Sequence, residues 1–361
     1  MFDNFFKNKR IFLTGHTGFK GSWLTFWLHK MGAEICGYSL DPPTEPNLFD
    51  LCRLSGDIQS VSGDVRDLEK FKMTIDGFRP DIVFHLAAQS LVRRSYEEPV
   101  ETYSTNVMGT VNLLEAVRKV DNVKAVINVT SDKCYENREW LWGYRENDPM
   151  GGYDPYSSSK GCAELVTSTY LNSYFNSDDY NTHGKGLASA RAGNVIGGGD
   201  FADDRLVPDM MRAFGYGKTL HIRYPKAIRP WQHVLEPLSG YLILAKNLYE
   251  KGASYSGAWN FGPDENACLK VEEVVGEIIK LWGDKAAWTT NKKFHPHEAG
   301  LLRLDCSKAR YRLGWKPKLD IRMALKWTVD WYKAFYNGSK NLREITEQQI
   351  KEYGRIAEEA A

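Results

Sequence analysis

In the first half of the chain, apolar residues gather into short runs, each followed by a longer stretch in which they recur every third or fourth position. This strand–helix rhythm predicts strands at residues 10–14, 34–40, 57–62, 81–86, 125–130 and 186–191. The stretches between predict helices at 20–31, 67–77, 99–119 and 155–176. In the first helix Trp23, Leu24, Trp27, Leu28 and Met31 share one face. This rhythm marks a parallel sheet with helices on both sides, each crossover right-handed. The expected fold is therefore α/β, a doubly wound, Rossmann-type parallel sheet with a smaller α/β substrate lobe after it.

Beyond Arg191 the segment 192–204 is too glycine-rich for a regular element and reads as a loop into the second lobe. The pattern then predicts a helix at 206–216, a strand at 219–223, a helix at 234–250, a strand at 257–261, a helix at 271–282, a strand pair near 288–305 and a helix at 320–336. Residues 339–361 are charged without a clear apolar stripe and read as a peripheral helix or frayed tail. The expected division is a nucleotide-binding domain at 1–190, partly rejoined by 224–262, a substrate lobe from 191–223 and 263–336, and a tail at 337–361.

The first predicted strand breaks at Gly15, Gly18 and Gly21 before the first helix. Gly15 can make the tight turn, Gly18 can let backbone approach a pyrophosphate, and Gly21 can let helix and strand pack closely. The helix start offers free N–H groups to the anion. The spacing is G-x-x-G-x-x-G, not the commoner G-x-G-x-x-G. Asp41 ends the second strand about 20 residues on, where a carboxylate takes both ribose hydroxyls, which favours NAD over NADP. Asp41 equally suits a turn before Pro42 and Pro43. Asp64 follows the third strand, at the adenine end of such a site or as a helix-entry acid.

Among 361 residues, 47 basic and 46 acidic side chains leave a net charge of +1, so the chain carries no electrostatic footprint for nucleic acid or anionic membranes. The six cysteines are scattered without metal-ligand spacing, which predicts no metal and a reducing compartment. With no apolar stretch of membrane-spanning length and no signal-peptide core, the expected location is the cytoplasm.

Tyr156 and Lys160 are four residues apart behind the helix-start pair Asp154 and Pro155. A lysine ammonium beside a phenol favours phenolate and turns tyrosine into a general base. Tyr336 and Lys340 repeat the spacing around Asn337 and Gly338, which would break a helix, so context distinguishes the first pair. Ser131 and Asp132 come directly off the fifth strand, the edge at which parallel sheets present ligands. The hydroxyl can hold a substrate alcohol. A carboxylate buried beside a sugar has a raised pKa and can protonate a leaving hydroxyl. Ser131 also fits as a strand end, and Asp132 as a turn cap.

The glycine turn, the segment His85-Leu-Ala-Ala-Gln89, Ser131, Tyr156 and Lys160 resemble the extended short-chain dehydrogenase/reductase family. Within it the chain is similar to the nucleotide-sugar 4,6-dehydratases. Thr14-Gly-His-Thr-Gly-Phe-Lys-Gly-Ser-Trp23, Thr130-Ser-Asp-Lys-Cys-Tyr135 and Arg229-Pro-Trp-Gln-His-Val234 resemble the branch acting on CDP-glucose. The resemblance runs from about residue 7 to 336. It implies NAD as cofactor, held by Gly15, Thr17, Gly18, Phe19, Lys20, Gly21, Asp41, Asp64, Val65, Leu86, Ala87, Ala88, Tyr156 and Lys160. It implies CDP-glucose as substrate, with Asn194, Arg205, Arg223, Arg229, Asn260 and Glu298 as contacts. It further implies oxidation at carbon 4 by Tyr156 and Lys160, loss of water across carbons 5 and 6 with Asp132 as acid, and hydride return to carbon 6. Most such enzymes carry glutamate as the carbon-5 base where this chain has Lys133. Lys133 is expected to act as a neutral amine base, helped by burial near Lys160, or else to stabilise the enolate. A homodimer or dimer of dimers is implied, built from helices 99–119 and 155–176. Asp132 distinguishes this reading from a 4-epimerase of the same fold. The full set Ser131, Asp132, Tyr156 and Lys160 argues against a non-catalytic NAD sensor.

Overall fold

The computed structural model of the chain describes residues 2–283, 286–290 and 300–359. Strands occur where the apolar runs predict them: β1 (Arg10–Thr14), β2 (Glu34–Ser39), β3 (Gln59–Ser62), β4 (Ile82–His85), β5 (Ala125–Val129) and β6 (Gly186–Arg191). With Gly257–Asn260 at one edge they form a seven-stranded sheet in the order Gly257–Asn260, β6, β5, β4, β1, β2, β3, parallel throughout. The order reverses between β1 and β4, and a ligand crevice opens at the carboxyl ends of strands beside such a switch. Ile11 and Leu13 of β1 enter one core layer and Phe12 the other; Ile82 and Phe84 of β4 alternate with Val83 in the same way. Both faces are covered over the inner strands, which explains why β1, β4 and β5 read as nearly continuous apolar runs, whereas the edge strand β3 is polar and largely exposed.

The helix that follows β5 spans Pro155–Ser173; Asp154 caps it by accepting from the Ser157 N–H at 2.9 Å, and Pro155 takes the first turn. The single helix expected at 99–119 is divided by a π turn, Ser104–Met108, between Pro99–Tyr103 and Gly109–Arg118. The widened turn aims Asn106 inward. Its amide accepts from the Gln89 N–H at 2.9 Å and donates to the Gln89 carbonyl at 3.0 Å and to Ser159 Oγ at 2.8 Å. The backbone after β4 is thereby fixed to the helix that carries Tyr156.

Three further expectations are corrected. The helix Phe19–Lys30 is buried on all sides from Gly21 to Leu28, not along one face. The reason lies in residues 342–359: of the two alternatives for this segment the helix is found, Leu342–Glu359, and it is docked on the core rather than loosely attached, covering that outer side. Trp27 meets Tyr353 edge to face at 5.6 Å, and Lys30 pairs with Glu347 at 2.7 Å. Its apolar contacts, Leu342, Ile350, Tyr353 and Ala357, are diluted by charge in the sequence. Among the described residues the strand pair near 288–305 is not found as a local pair. Trp288–Thr290 pairs in parallel with Leu220–Ile222, residues 291–299 lie outside the described residues, and Leu304 makes a single bridge to Tyr144.

The second lobe is assembled from such short pairs. Val195–Ile196 lies parallel to Gln232–His233, and Ile228–Pro230 antiparallel to Cys268–Lys270. Helices Leu206–Gly215, Val271–Trp282 and Ile321–Tyr336 support them, and their apolar residues join the same cluster as one face of the sheet. Among the described residues no helix is long and apolar enough to cross a membrane.

Glu236, at the start of the helix Leu235–Lys251, is the polar anchor of this layer. Its carboxyl group accepts from the Lys318 and Leu319 N–H groups at 2.9 and 2.6 Å and from the Tyr353 hydroxyl at 2.9 Å. Burial pushes it up to about 7, against those hydrogen bonds. A carboxyl group with a raised folded-state pKa leaves the native state holding the extra proton, so stability falls as pH rises from the unfolded value near 4.5 through about 7. Glu236→Gln should abolish most of that loss, on the order of 3 kcal/mol. Thermal melts at pH values on either side of that window check it: the variant should melt above wild type on the alkaline side only.

Candidate functional site

The glycine turn between β1 and Phe19–Lys30 is a cradle. Gly15 has φ +72°, and a Cβ there would lie 2.7 Å from the Ala87 nitrogen; a Cβ on Gly21 would lie 2.0 Å from the Gly15 carbonyl oxygen. A Cβ on Gly18 would meet only that oxygen, at 3.4 Å, so its outer face is open. Thr17 joins the turn to β2 through Ser39 Oγ at 2.7 Å and the Leu40 carbonyl at 3.0 Å. Thr14 Oγ1 accepts from the Leu86 and Ala87 N–H groups at 3.2 Å, joining the ends of β1 and β4. The turn faces a cavity of about 600 Å³ lined by Gly15, Thr17, Gly18, Phe19, Lys20, Gly21, Asp41, Asp64, Val65, Leu86, Ala87, Ala88, Tyr156 and Lys160. Every predicted cofactor residue is thus brought to one cavity whose size and glycine floor fit a dinucleotide. Asp41 is exposed at its rim. Asp64 is held by Arg66, whose guanidinium and backbone N–H donate to it and keep its carboxyl below the usual range.

A second cavity of about 310 Å³ opens against the first and shares Phe19, Lys20, Ser90, Tyr156, Asp200 and Arg205 with it. Ser131, Asp132 and Lys133 line this second space. Ser131 is the pivot: its hydroxyl donates to Asp132 Oδ1 at 3.0 Å, accepts from the Lys133 N–H at 3.2 Å and favours ionisation of the Tyr156 phenol. Beneath this turn lies a buried network. Glu164, one helical turn past Lys160, pairs with Arg191 at 2.6 Å, and both side chains are 4% exposed. Glu164 also accepts from Ser189 Oγ at 2.7 Å and from Thr130 Oγ1.

The electrostatics differ from the expectation for Tyr156. Burial pushes its phenol up to about 12, with Ser131 and Arg205 pulling the other way; Lys160 does not figure among the main influences. The lysine amine instead donates to the Val129 carbonyl at 3.3 Å and faces Glu164. Burial pulls Lys160 down to about 8, and Lys20 likewise. Lys133, expected to be the buried amine, is only half-buried.

Of the predicted substrate residues, Asn194, Arg205, Arg223 and Arg229 line the second cavity. Arg205 is placed where the two cavities meet, donating to Asp200 at 2.9 Å and to Ser90 Oγ at 2.8 Å. Asn260 is a correction. It is fully buried, accepts from the Tyr135 hydroxyl at 2.7 Å and donates to the Tyr144 and Asp305 carbonyls at 2.8 and 3.1 Å, so it lines neither cavity. Its place at the end of a sheet strand suggests a ligand contact, but its hydrogen-bonding capacity is used inside the fold. Glu298 lies outside the described residues. Sequence reasoning misses Arg93, which lines the second cavity and shares Asp204 with Arg223, each at 2.8 Å. Its signal is its place just beyond the carboxyl end of β4. His233 is buried edge to face between Trp23 and Trp327 and is structural.

The sequence profile described as GDP-mannose 4,6 dehydratase matches residues 12–328. The chain belongs to that dehydratase family. A CDP-glucose 4,6-dehydratase of Salmonella typhimurium is 57% identical to it over 350 residues, 97% of each chain. A dTDP-glucose 4,6-dehydratase of Xanthomonas campestris is 27% identical over 344 residues, covering 89% of this chain and 92% of the relative. The crystal structure of a dTDP-glucose 4,6-dehydratase from Bacillus anthracis in complex with NAD superposes with a TM-score of 0.75 at 23% identity, over 92% of this chain and 99% of that one, and so shares the fold. Members of the family contain the same doubly wound sheet that the apolar runs predict here.

Asn260→Ala removes the acceptor of the buried Tyr135 hydroxyl and one donor to each of the Tyr144 and Asp305 carbonyls. It should destabilise the fold by on the order of 3 kcal/mol while changing KM for the nucleotide sugar less than about twofold. Chemical denaturation and steady-state kinetics on the same preparation check this; a large rise in KM with unchanged stability would restore Asn260 to the substrate site.

Proposed function

We propose that this chain is an NAD-dependent hydro-lyase of the cytoplasm that converts CDP-glucose to CDP-4-keto-6-deoxyglucose and water, a step of deoxysugar biosynthesis. The observation that carries the reading is the convergence of Ser131, Asp132 and Tyr156 where a dinucleotide-sized cavity meets a second one. The likeness to the Salmonella CDP-glucose enzyme along the whole chain supports the choice of substrate.

Ser131 holds the carbon-4 hydroxyl, and Tyr156 takes its proton. NAD supplies the acceptor for the carbon-4 hydride, its donor back to carbon 6, and a positive charge that favours the phenolate. Lys160 binds and orients that cofactor, its charge maintained by Glu164. The carbon-4 ketone acidifies the proton on carbon 5, and Lys133, which lines the second cavity, either accepts that proton or stabilises the enolate. Asp132 protonates the carbon-6 hydroxyl, which leaves as water. An epimerase has no use for an acid at that place. Arg205, Arg223, Arg229 and Arg93 supply the positive charge that a nucleoside diphosphate requires.

We further propose a homodimer. Val100, Tyr103 and Met108 on one segment, and Leu165 and Tyr174 on or beside Pro155–Ser173, are exposed apolar residues on adjoining elements.

Incubation with CDP-, dTDP-, GDP- and UDP-glucose and NAD, followed by NMR, should give a 4-keto-6-deoxy sugar from CDP-glucose. Tyr156→Phe should lower the rate by at least about a hundredfold. A carbon-4 epimer as product, or NAD binding without turnover of any nucleotide sugar, would refute the assignment. Leu165→Glu should convert the dimer to monomer by light scattering; a wild-type monomer at micromolar concentration would refute the dimer.

A further inference from the structure

The carboxylate of Asp132 has two differently placed oxygens. Oδ1 is bonded to the Ser131 hydroxyl, whereas Oδ2 is shut off from solvent and has no hydrogen-bond partner among the described residues. Oδ2 lies over Gly193: a Cβ built there would be 1.8 Å from it. Among the other buried polar atoms in the same condition are the Tyr241 hydroxyl and Gln232 Oε1. The three residues are linked through Gly193 and Phe261. Gln232 donates its amide to the Gly193 carbonyl at 3.2 Å and the Phe261 carbonyl at 2.9 Å, which fixes Oε1 as the free acceptor. Tyr241 packs edge to face on Phe261 at 5.6 Å, and Asp132 and Tyr156 are the charges that reach its phenol.

Leaving a buried donor and two buried acceptors unpaired is costly. One donor and two acceptors match the capacity of a single water, which can accept from the Tyr241 hydroxyl and donate to Asp132 Oδ2 and Gln232 Oε1. Three protein partners are usual for a buried water.

We propose that Tyr241, Gln232 and Asp132 form a closed water site behind the acid, and that Tyr241 is a positioning residue for the elimination step. The inference rests on the reading of Asp132 as the carbon-6 acid. In that step the carbon-5 C–H, carbon-6 C–O and Asp132 O–H bonds break, the carbon-5–carbon-6 double bond and an O–H bond of the departing water form, the carbon-5 proton passes to its base and Asp132 becomes a carboxylate. The bridging water then donates to Oδ2, held in orientation by Tyr241, which keeps its own proton throughout. Oδ1 stays turned toward Ser131 and the substrate. Gly193 is needed because any side chain would occupy the space of the carboxylate.

The test is Tyr241→Phe, which removes one oxygen and keeps the ring on Phe261. With NAD and CDP-glucose, kcat should fall about tenfold with KM nearly unchanged. Carbon-4 oxidation should remain fast, so the near-ultraviolet absorbance of reduced nicotinamide should accumulate during turnover, as it does not in wild type. In an Asp132→Asn background the same change should cost little more. A high-resolution crystal structure should show the water in wild type. The inference is overturned if oxidation and elimination slow equally, if the two substitutions act additively, or if the space is dry. A wild-type enzyme that leaves CDP-glucose unchanged overturns it together with the reading on which it rests; an active wild type with an unaffected Tyr241→Phe variant overturns this inference alone.

Discussion

The ion pair between Glu164 and Arg191 joins the three elements on which the site is built. Glu164 belongs to the helix Pro155–Ser173, Arg191 ends β6, and Thr130, which donates to the same carboxylate, follows β5 directly before Ser131. Burial pushes the Glu164 carboxyl up, yet the Arg191 charge and the hydrogen bonds around it outweigh burial and hold it below its ordinary value. A pair so enclosed adds little net stability compared with apolar packing, but it tolerates few geometries. Its effect is positional. With Glu164 fixed, Lys160 is fixed one turn before it and Tyr156 two turns before it, while Ser131 is fixed through its neighbour Thr130.

The same network explains the resting electrostatics. Tyr156 and Lys160 are both pushed toward their neutral forms by burial, the phenol upward and the amine downward. A site prepared to exchange protons with a sugar alcohol benefits from two groups that are not locked in opposite charge states. Glu164 is the main charge that opposes neutralisation of Lys160.

The inner strands of the sheet were legible because β1, β4 and β5 are buried on both faces, so their apolar runs are nearly uninterrupted, and because the glycine turn and the Tyr156–Lys160 helix are local features with local signatures. What was not legible depends on contacts between distant segments. Asn260 ends a sheet strand, as a ligand residue would, but its partners Tyr135, Tyr144 and Asp305 come from far along the chain. The second lobe rests on strand pairs too short to carry a periodicity, such as Leu220–Ile222 with Trp288–Thr290. Arg93 follows β4 in a short helix with no apolar pattern of its own. Tyr241 reads as one more apolar position on a core helix, and only the unpaired state of its hydroxyl distinguishes it.

The cover that Leu342–Glu359 places over Phe19–Lys30 has a consequence for biosynthesis. During synthesis from the N-terminus, the dinucleotide-binding half emerges long before its last covering element exists. Trp27 and its apolar neighbours must therefore remain partly wet, or be shielded by another molecule, until translation reaches Tyr353. Completion of the oldest part of the polypeptide thus waits on nearly the youngest.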